Sequence, residues 1–276
     1  MWFSVIHETL YRYSVPVGLA PHCLRLTPRP GVGRLLSRRL LVDPHPIVWR
    51  DIEDEQGNLV TEVEFAGTSA WLRIESQFEL ETWRPAPLPP WGVLPHLPWP
   101  GIQGDGLDRY RQDNEGDTSV THFAQTLVSQ AHGDPMAFLD HLCQTLFVRT
   151  DRQIRFEGAA QTPAHTLASA RGACRDLTVL FLSACRSQGL AGRFVSGYQA
   201  EADTPDGQRH LHAWPEIFLP GYGWAAWDPT HGIPVGEGHV PLCTAATQAD
   251  TMPVDGGFYA NGVTATLDYS VRIATA

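Results

Sequence analysis

Arg171-Gly-Ala-Cys-Arg-Asp-Leu-Thr-Val-Leu-Phe-Leu-Ser-Ala-Cys-Arg186 is the stretch on which the reading of this chain turns. Leu177, Leu180, Phe181 and Ala184 recur at the spacing of one helical face. Gly172 precedes them, Asp176 falls in the first turn and Gly189 follows, so the stretch reads as a buried helix entered through a tight loop. Cys174 therefore stands at a helix N-terminus. There, unpaired backbone N–H groups and the positive end of the macrodipole favour an anion, which supplies thiolate near neutral pH. The same N–H groups could hold an oxyanion.

A nucleophilic thiol needs a base, and the base needs an orienting group. Downstream, Arg193 to Gln199 and His212 to Phe218 read as strands, the second opening with an imidazole. A third strand, Gly223 to Trp227, runs into Asp228-Pro-Thr230, which sets a carboxylate at a strand end beside a turn-forming proline. The chemistry-bearing residues thus come in the order Cys, His, Asp.

The 276 residues are enough for one large domain or two smaller ones, and 43% hydrophobic with 18% charged residues is an ordinary globular composition. No run approaches the length of a membrane span, and the first residues carry neither a basic region nor an apolar signal core. A cytoplasmic protein is expected. The five cysteines (Cys23, Cys143, Cys174, Cys185 and Cys243) are an odd number without a C-x-x-C pair, which argues against a disulfide framework and a structural zinc site. Cys143 and Cys185 fall in apolar helical patterns and read as core filler. A net charge of −10 without basic clusters counts against nucleic acid. All 20 Lys-or-Arg positions are Arg, which removes P-loop, Schiff-base and internal acyl-acceptor lysines.

Working outward, Trp2 to about Trp83 is strand-like: Phe3, Val5, His7, Thr9 and Tyr11 alternate with other residues, as Val63 and Phe65 do with Glu62 and Glu64. Glu55-Gln-Gly-Asn58 reads as a hairpin turn between stretches around Val48 and Val63, and Ala70 to Leu80 as another strand. Arg25 and Arg29 could face a ligand, but arginines near a strand end are more often solvated. Seven prolines between Arg84 and Pro100, with Trp91 and Trp99, mark a linker too apolar to hang free, so it is expected to pack across a surface. Thr118 to Ala131 and Pro135 to Phe147 are helical patterns, the second started by Asp134 before Pro135. Arg155 to Ala168 reads as a loop, with Gln161 and His165 as candidate polar residues of a cleft. Gly232 to Asp250 reads as irregular, and the last twenty residues as strand.

Gly172-Ala-Cys-Arg-Asp176, Arg193-Phe-Val-Ser-Gly-Tyr198, His212-Ala-Trp214 with Glu216, and Trp224 through Asp228-Pro-Thr230 together resemble the bacterial transglutaminase-like family. Tyr11, Tyr13, Pro16-Val17 and Leu24-Arg-Leu-Thr-Pro-Arg29 look like the β domain that precedes the core in many members. The resemblance implies an α+β protein: an N-terminal antiparallel β domain over 1–83, a Pro-rich linker over 84–104, and a papain-like transglutaminase core of helices packed on an antiparallel sheet over 105–276. It implies Cys174, His212 and Asp228 as the catalytic triad. Two features depart from a simple match. Pro215 inside the strand after His212 predicts an edge strand or a bulge there, and His210 shares a strand face with His212, so His212 is preferred on the motif alone.

The implied chemistry is an acyl-enzyme on Cys174 formed from an amide or peptide bond of a protein or peptide substrate. Hydrolysis is favoured over amine transfer. No cofactor, metal, nucleic acid or membrane is expected, and Glu201 to Asp206 lacks the ligand ladder of a calcium loop. Two other classes compete: an inactive binding module in which Cys174 is only a buried thiol, and a zinc site built from Cys174, His212, Asp228 and His165 or His210.

Overall fold

The computed structural model describes residues 1–100, 104–113, 116–155, 158–200 and 207–276. In chain order the elements are β1 (Trp2–Leu19), β2 (His22–Leu24), β3 (Gly33–Asp43), β4 (Val48–Glu53), β5 (Leu59–Glu64), β6 (Ser69–Thr82), α1 (Asp108–Arg111), α2 (Thr118–Gln130), α3 (Pro135–Arg149), β7 (Asp151–Arg152) and α4 (Pro163–Ser169). They continue as β8 (Arg171–Gly172), α5 (Cys174–Arg186), β9 (Gly192–Gln199), β10 (His212–Leu219), β11 (Gly223–Asp228), β12 (Ile233–Pro234), β13 (His239–Ala245), β14 (Val254–Asp255), β15 (Phe258–Tyr259) and β16 (Ala265–Thr275). The sheets are antiparallel apart from the short β7–β8 pair.

The helical stripe read from the sequence is the buried face of α5: Leu177, Leu180, Phe181 and Ala184 are sealed from solvent. They pack with Phe194, Ala213, Ile217, Ala225 and Trp227 of the sheet and with α2 and α3. That sheet runs β12-β11-β10-β9-β13. β9 is buried along its whole length. Its Phe194 joins the α5 cluster, whereas Tyr198 joins a second cluster with Phe3, Val5 and Phe78 of the N-terminal sheet. A strand enclosed in this way cannot show polar-apolar alternation, which is why its sequence reads as continuously compatible with burial.

Pro215 corrects one expectation. β10 is an interior strand, and its register with β9 runs unbroken through Pro215↔Phe194. Phe218 donates its N–H to Ala191 beside β9 at 2.9 Å, so even-numbered residues of β10 point their N–H groups toward β9 and the Pro215 nitrogen faces the other way. β11 pairs with β10 only from Glu216 onward. The proline thus sits where that ladder has already ended and removes no bond from it.

Three further segments differ from the sequence reading. Pro163–Ser169, read as part of a loop, is α4, with Thr162 accepting from the N–H of His165 and Pro163 in the first turn. His239–Ala245, read as irregular, is β13, paired with β9 through a register shift at Pro241. The final strand, assigned by sequence to the unit over 105–276, pairs with β1 from Phe3↔Thr275 to Tyr13↔Ala265. The chain end therefore closes the sheet that its beginning opened.

The proline-rich segment lies against the helices. Leu94 and Leu97 are buried among α2 and α3, and Trp99 donates its N–H to the Gln188 carbonyl at 2.9 Å. Gly189 ends the helical segment at φ +83°, and a Cβ there would fall 2.1 Å from the Trp99 carbonyl oxygen, so glycine is required on both grounds. Among the described residues, no helix is long and apolar enough to cross a membrane.

Candidate active site

The start of α5 is fixed by a buried carboxylate. Asp176 is fully enclosed, and its Oδ2 accepts the Ala173 N–H at 2.7 Å, capping the helix. Its Oδ1 accepts the Gln161 N–H and the Arg155 guanidinium, each at 2.8 Å. One residue thereby ties the helix start to the segment before α4. Cys174, the first residue of α5, is partly exposed and lines a cleft of about 710 Å³.

His212 enters from the first position of β10. Opposite it on β9 stands Gly197. A Cβ on Gly197 would lie 2.2 Å from the Val240 carbonyl oxygen and 2.7 Å from the edge of the Trp214 indole, so the bare backbone lets Trp214 fold over β9 beside the imidazole. Continuing the β10–β11 register past Glu216↔Ala226 puts Asp228 opposite Trp214 and diagonal to His212. His212 Nε2 meets Asp228 Oδ2 at 2.8 Å. Cys174 and His212 line the same cleft, and the thiol contributes to raising the His212 pKa.

Two more imidazoles reach the same carboxylate oxygen. His231 Nδ1 lies 2.8 Å and His239 Nε2 3.0 Å from Asp228 Oδ2. Oδ1 accepts the backbone N–H of Thr230 at 2.9 Å. An ionised carboxylate only accepts, so each facing imidazole nitrogen carries a proton. Burial alone would raise the Asp228 pKa, but the charge on His212 and the three side-chain hydrogen bonds hold it well below the usual carboxylate range. Burial alone would lower His212, yet the Asp228 charge and hydrogen bond, with a smaller contribution from Cys174, push it up to about 10. His239 is lowered by burial, against the pull of Asp228. The arrangement can therefore hold an imidazolium beside a thiol, with the counter-charge buried behind it.

The structure sets Cys174 and His212 on one cleft and Asp228 behind His212, each from a separate element. His210 also lines the cleft, but its Nδ1 is held by the Tyr269 hydroxyl at 2.9 Å. His165 is exposed on α4, and Gln161 Oε1 accepts from the Thr166 hydroxyl; neither lines the cleft. Arg29 donates to the Gln56 carbonyl and Arg25 to that of Met252, so both brace loops. Glu201 to Asp206 lies outside the described residues. The other thiols are set apart: burial raises Cys23, Cys143 and Cys185, and pushes Cys243 up to about 12. Sequence reasoning missed His231 and His239. His231 was within reach as the residue after Asp228-Pro-Thr230; His239 meets Asp228 only through the fold. The ligand atoms of His212, Asp228 and His231 lie within 4.8 Å of one another, a grouping that could accept a cation only after the facing imidazole nitrogens lose their protons. It differs from the zinc set expected from sequence by replacing Cys174 and His165 or His210 with His231.

Comparison with known proteins bears on the family and the fold. Residues 121–229 match the family model of the transglutaminase-like superfamily, and residues 3–81 that of the bacterial transglutaminase-like N-terminal region. The uncharacterized protein Rv2569c of Mycobacterium tuberculosis is 25% identical over 98% of this chain and 92% of its own length. The uncharacterized protein ML0607 of Mycobacterium leprae is 26% identical over 99% of both. A Cytophaga hutchinsonii structure, provisionally described as a cysteine protease, superposes with a TM-score of 0.73 at 15% identity, covering 99% of this chain and 90% of the other. The antiparallel architecture is thus the transglutaminase-like fold, and the chain belongs to the bacterial transglutaminase-like family.

Proposed function

We propose that the protein is a thiol hydrolase of amide or peptide bonds, with Cys174 as nucleophile, His212 as general base and acid, and Asp228 as the group that orients and charges His212. The observation that carries this reading is that Cys174 and His212 face one cleft while Asp228, buried behind it, holds the His212 ring at 2.8 Å. A helix bearing the thiol, packed on an antiparallel sheet bearing the other two, is the papain-like arrangement.

In the first step the sulfur of Cys174 attacks the carbonyl carbon, and the oxyanion is met by backbone N–H groups at the start of α5, ahead of those of Asp176 and Leu177 that bond the Ala173 carbonyl. His212 delivers its proton to the leaving nitrogen, the C–N bond breaks, and an acyl-enzyme and free amine result. Water then adds to the thioester carbonyl, giving one proton back to His212. The C–S bond breaks to release the acid. Asp228 stays ionised throughout, fixing the tautomer and stabilising the imidazolium.

Hydrolysis is favoured because Thr9, Gln153, Gln199 and the arginines set water-binding groups among the apolar walls of the cleft, whereas transfer to an amine is helped by excluding water. The Cytophaga relative's provisional description as a cysteine protease points the same way. Replacement of Cys174 with Ala should abolish turnover of a peptide substrate while circular dichroism stays unchanged; near wild-type turnover in that variant would end the reading. Incubation with a glutamine peptide and a labelled primary amine decides between outcomes, since label incorporation outrunning deamidation or cleavage would make amine transfer the function.

A further inference from the structure

We infer that Tyr269, on the C-terminal strand β16, is a positioning residue for His212: through His210 it fixes the chain just ahead of that imidazole, and so makes the N-terminal sheet a support of the reaction. The inference rests on the proposed role of His212 beside Cys174.

The core sheet holds His212 only at its margin. His212 is the first residue of β10, its register with β9 begins at His212↔Gly197, and β11 joins on the other side only from Glu216. The backbone of His212 therefore stands at the end of one ladder and beyond the end of the other, and such ends open more readily than strand interiors. Asp228 grips Nε2 at 2.8 Å, which aims the ring but leaves the main chain to be held from upstream. A base that serves a thiol has to stay within about 0.5 Å of its working position.

The upstream hold comes from the N-terminal sheet. Arg209 makes an isolated antiparallel bridge with Val271 of β16. His210 Nδ1 lies 2.9 Å from the Tyr269 hydroxyl, and the two rings meet edge to face at 6.0 Å. Leu211 packs on the cluster of Phe3, Val5 and Phe78, as Tyr269 does. Three successive residues thus dock on that sheet before β10 begins. The platform is firm, because β16 pairs with β1 along its whole length, with Tyr269 opposite Thr9 and Val271 opposite His7. The Tyr269 ring also meets the His7 ring at 6.4 Å, and His7 Nδ1 lies 2.7 Å from the hydroxyl of Tyr198 on β9. The contacts close a circuit: from His212 through His210, Tyr269, His7 and Tyr198 they return to β9, the strand on which His212 is paired. Within that circuit the Tyr269 hydroxyl is the link that a change of one atom removes.

The experiment compares Tyr269→Phe, which removes the hydroxyl and keeps the ring, with the wild-type protein. Iodoacetamide alkylation of Cys174 at neutral pH reads the thiolate that His212 supports and needs no substrate. It should slow about threefold or more, and kcat on a capped peptide that the wild-type protein turns over should fall by a similar factor, with KM and the urea midpoint nearly unchanged. His210→Phe breaks the same bond from the other side, so the double variant should lose no more than either single one. His210→Gln presents an amide that can still meet the hydroxyl and should retain most of the rate. Alkylation at the wild-type rate in both single variants overturns the inference, as does an additive loss in the double variant. A KM that rises alone overturns it too, since Tyr269 would then be a substrate contact. Should Tyr269→Phe fail to fold, His210→Phe decides on the same readout. If the wild-type protein shows no Cys174-dependent turnover, the proposed hydrolysis fails, while the alkylation rates still decide whether Tyr269 acts on His212.

Discussion

Asp228 accepts three imidazole nitrogens on Oδ2 and two backbone N–H groups on Oδ1, at 2.9 and 3.3 Å, so the carboxylate is saturated and its direction over-determined. Its charge is what keeps His212 protonated up to about 10 despite burial. The consequence can be measured on the thiol. In the wild-type protein, the imidazolium that supports reactive thiolate should persist well into the alkaline range. Asp228→Asn removes the charge but keeps the shape, so His212 should lose its proton at a lower pH and the alkaline limb of kcat/KM should move down by one unit or more. An unmoved limb would mean that Asp228 does not set the charge of His212. Iodoacetamide provides the companion test: Cys174 should be alkylated at least about tenfold faster than the other four thiols, which burial keeps protonated. His239→Ala removes one donor to the carboxylate and should cost about 2 kcal/mol of stability in urea melts.

At the scale of elements, what the sequence disclosed follows from how much each segment's fate depends on its own residues. α5 was legible because Leu177, Leu180, Phe181 and Ala184 repeat at helical period and all four are buried. β10 and β11 were legible from their turns and aromatic content. α4 was not: it has seven residues, too few for a period to emerge, and only the Thr162 cap and Pro163 betray it. β13 was hidden by Pro241, which coincides with a register shift. Cys174 and Asp228 stood out because each lies at an element end beside a turn signal, whereas His212, at a strand start, was preferred to His210 on the motif alone. His239 carried no such signal, since its approach to Asp228 is made by the sheet rather than by its neighbours in sequence. β9 depends on a glycine in the same way: at Gly197 the fold requires Trp214 and the Val240 carbonyl to come closer than a Cβ permits. Gly197→Ala should therefore destabilise the protein by roughly 1–3 kcal/mol. Because the clash displaces Trp214 next to His212, it should also lower kcat more than it raises KM. A variant with normal stability and kinetics would show that β9 and β13 can part without cost.

At the scale of the whole molecule, the N-terminal sheet is a wall of the cleft as well as a neighbour of the core. On β1 the inward face runs Phe3, Val5, His7, Thr9, with Tyr11 following in the same alternation. Its apolar end packs into the cluster that includes Tyr198 and Val240, and its polar end, from His7 to Tyr11, lines the cleft. His7 is the hinge between these two roles, with Nδ1 2.7 Å from the Tyr198 hydroxyl of β9 and Nε2 3.2 Å from the Thr9 hydroxyl. Burial lowers its pKa to about 4. The unfolded chain takes up the proton near 6.5, so stability that is present above that pH is lost as pH falls from 6.5 toward 4. At about pH 4.5 the loss should be about 2–3 kcal/mol. His239, also lowered by burial, adds in the same direction. His212 does not interfere, because its own contribution changes between about 10 and 6.5. His7→Gln keeps a hydrogen-bonding partner for Tyr198 and does not titrate, so its urea midpoint should drop much less between pH 7 and about pH 4.5 than the wild-type midpoint does. If both proteins weaken equally on acidification, the contact between β1 and β9 is not what acid breaks.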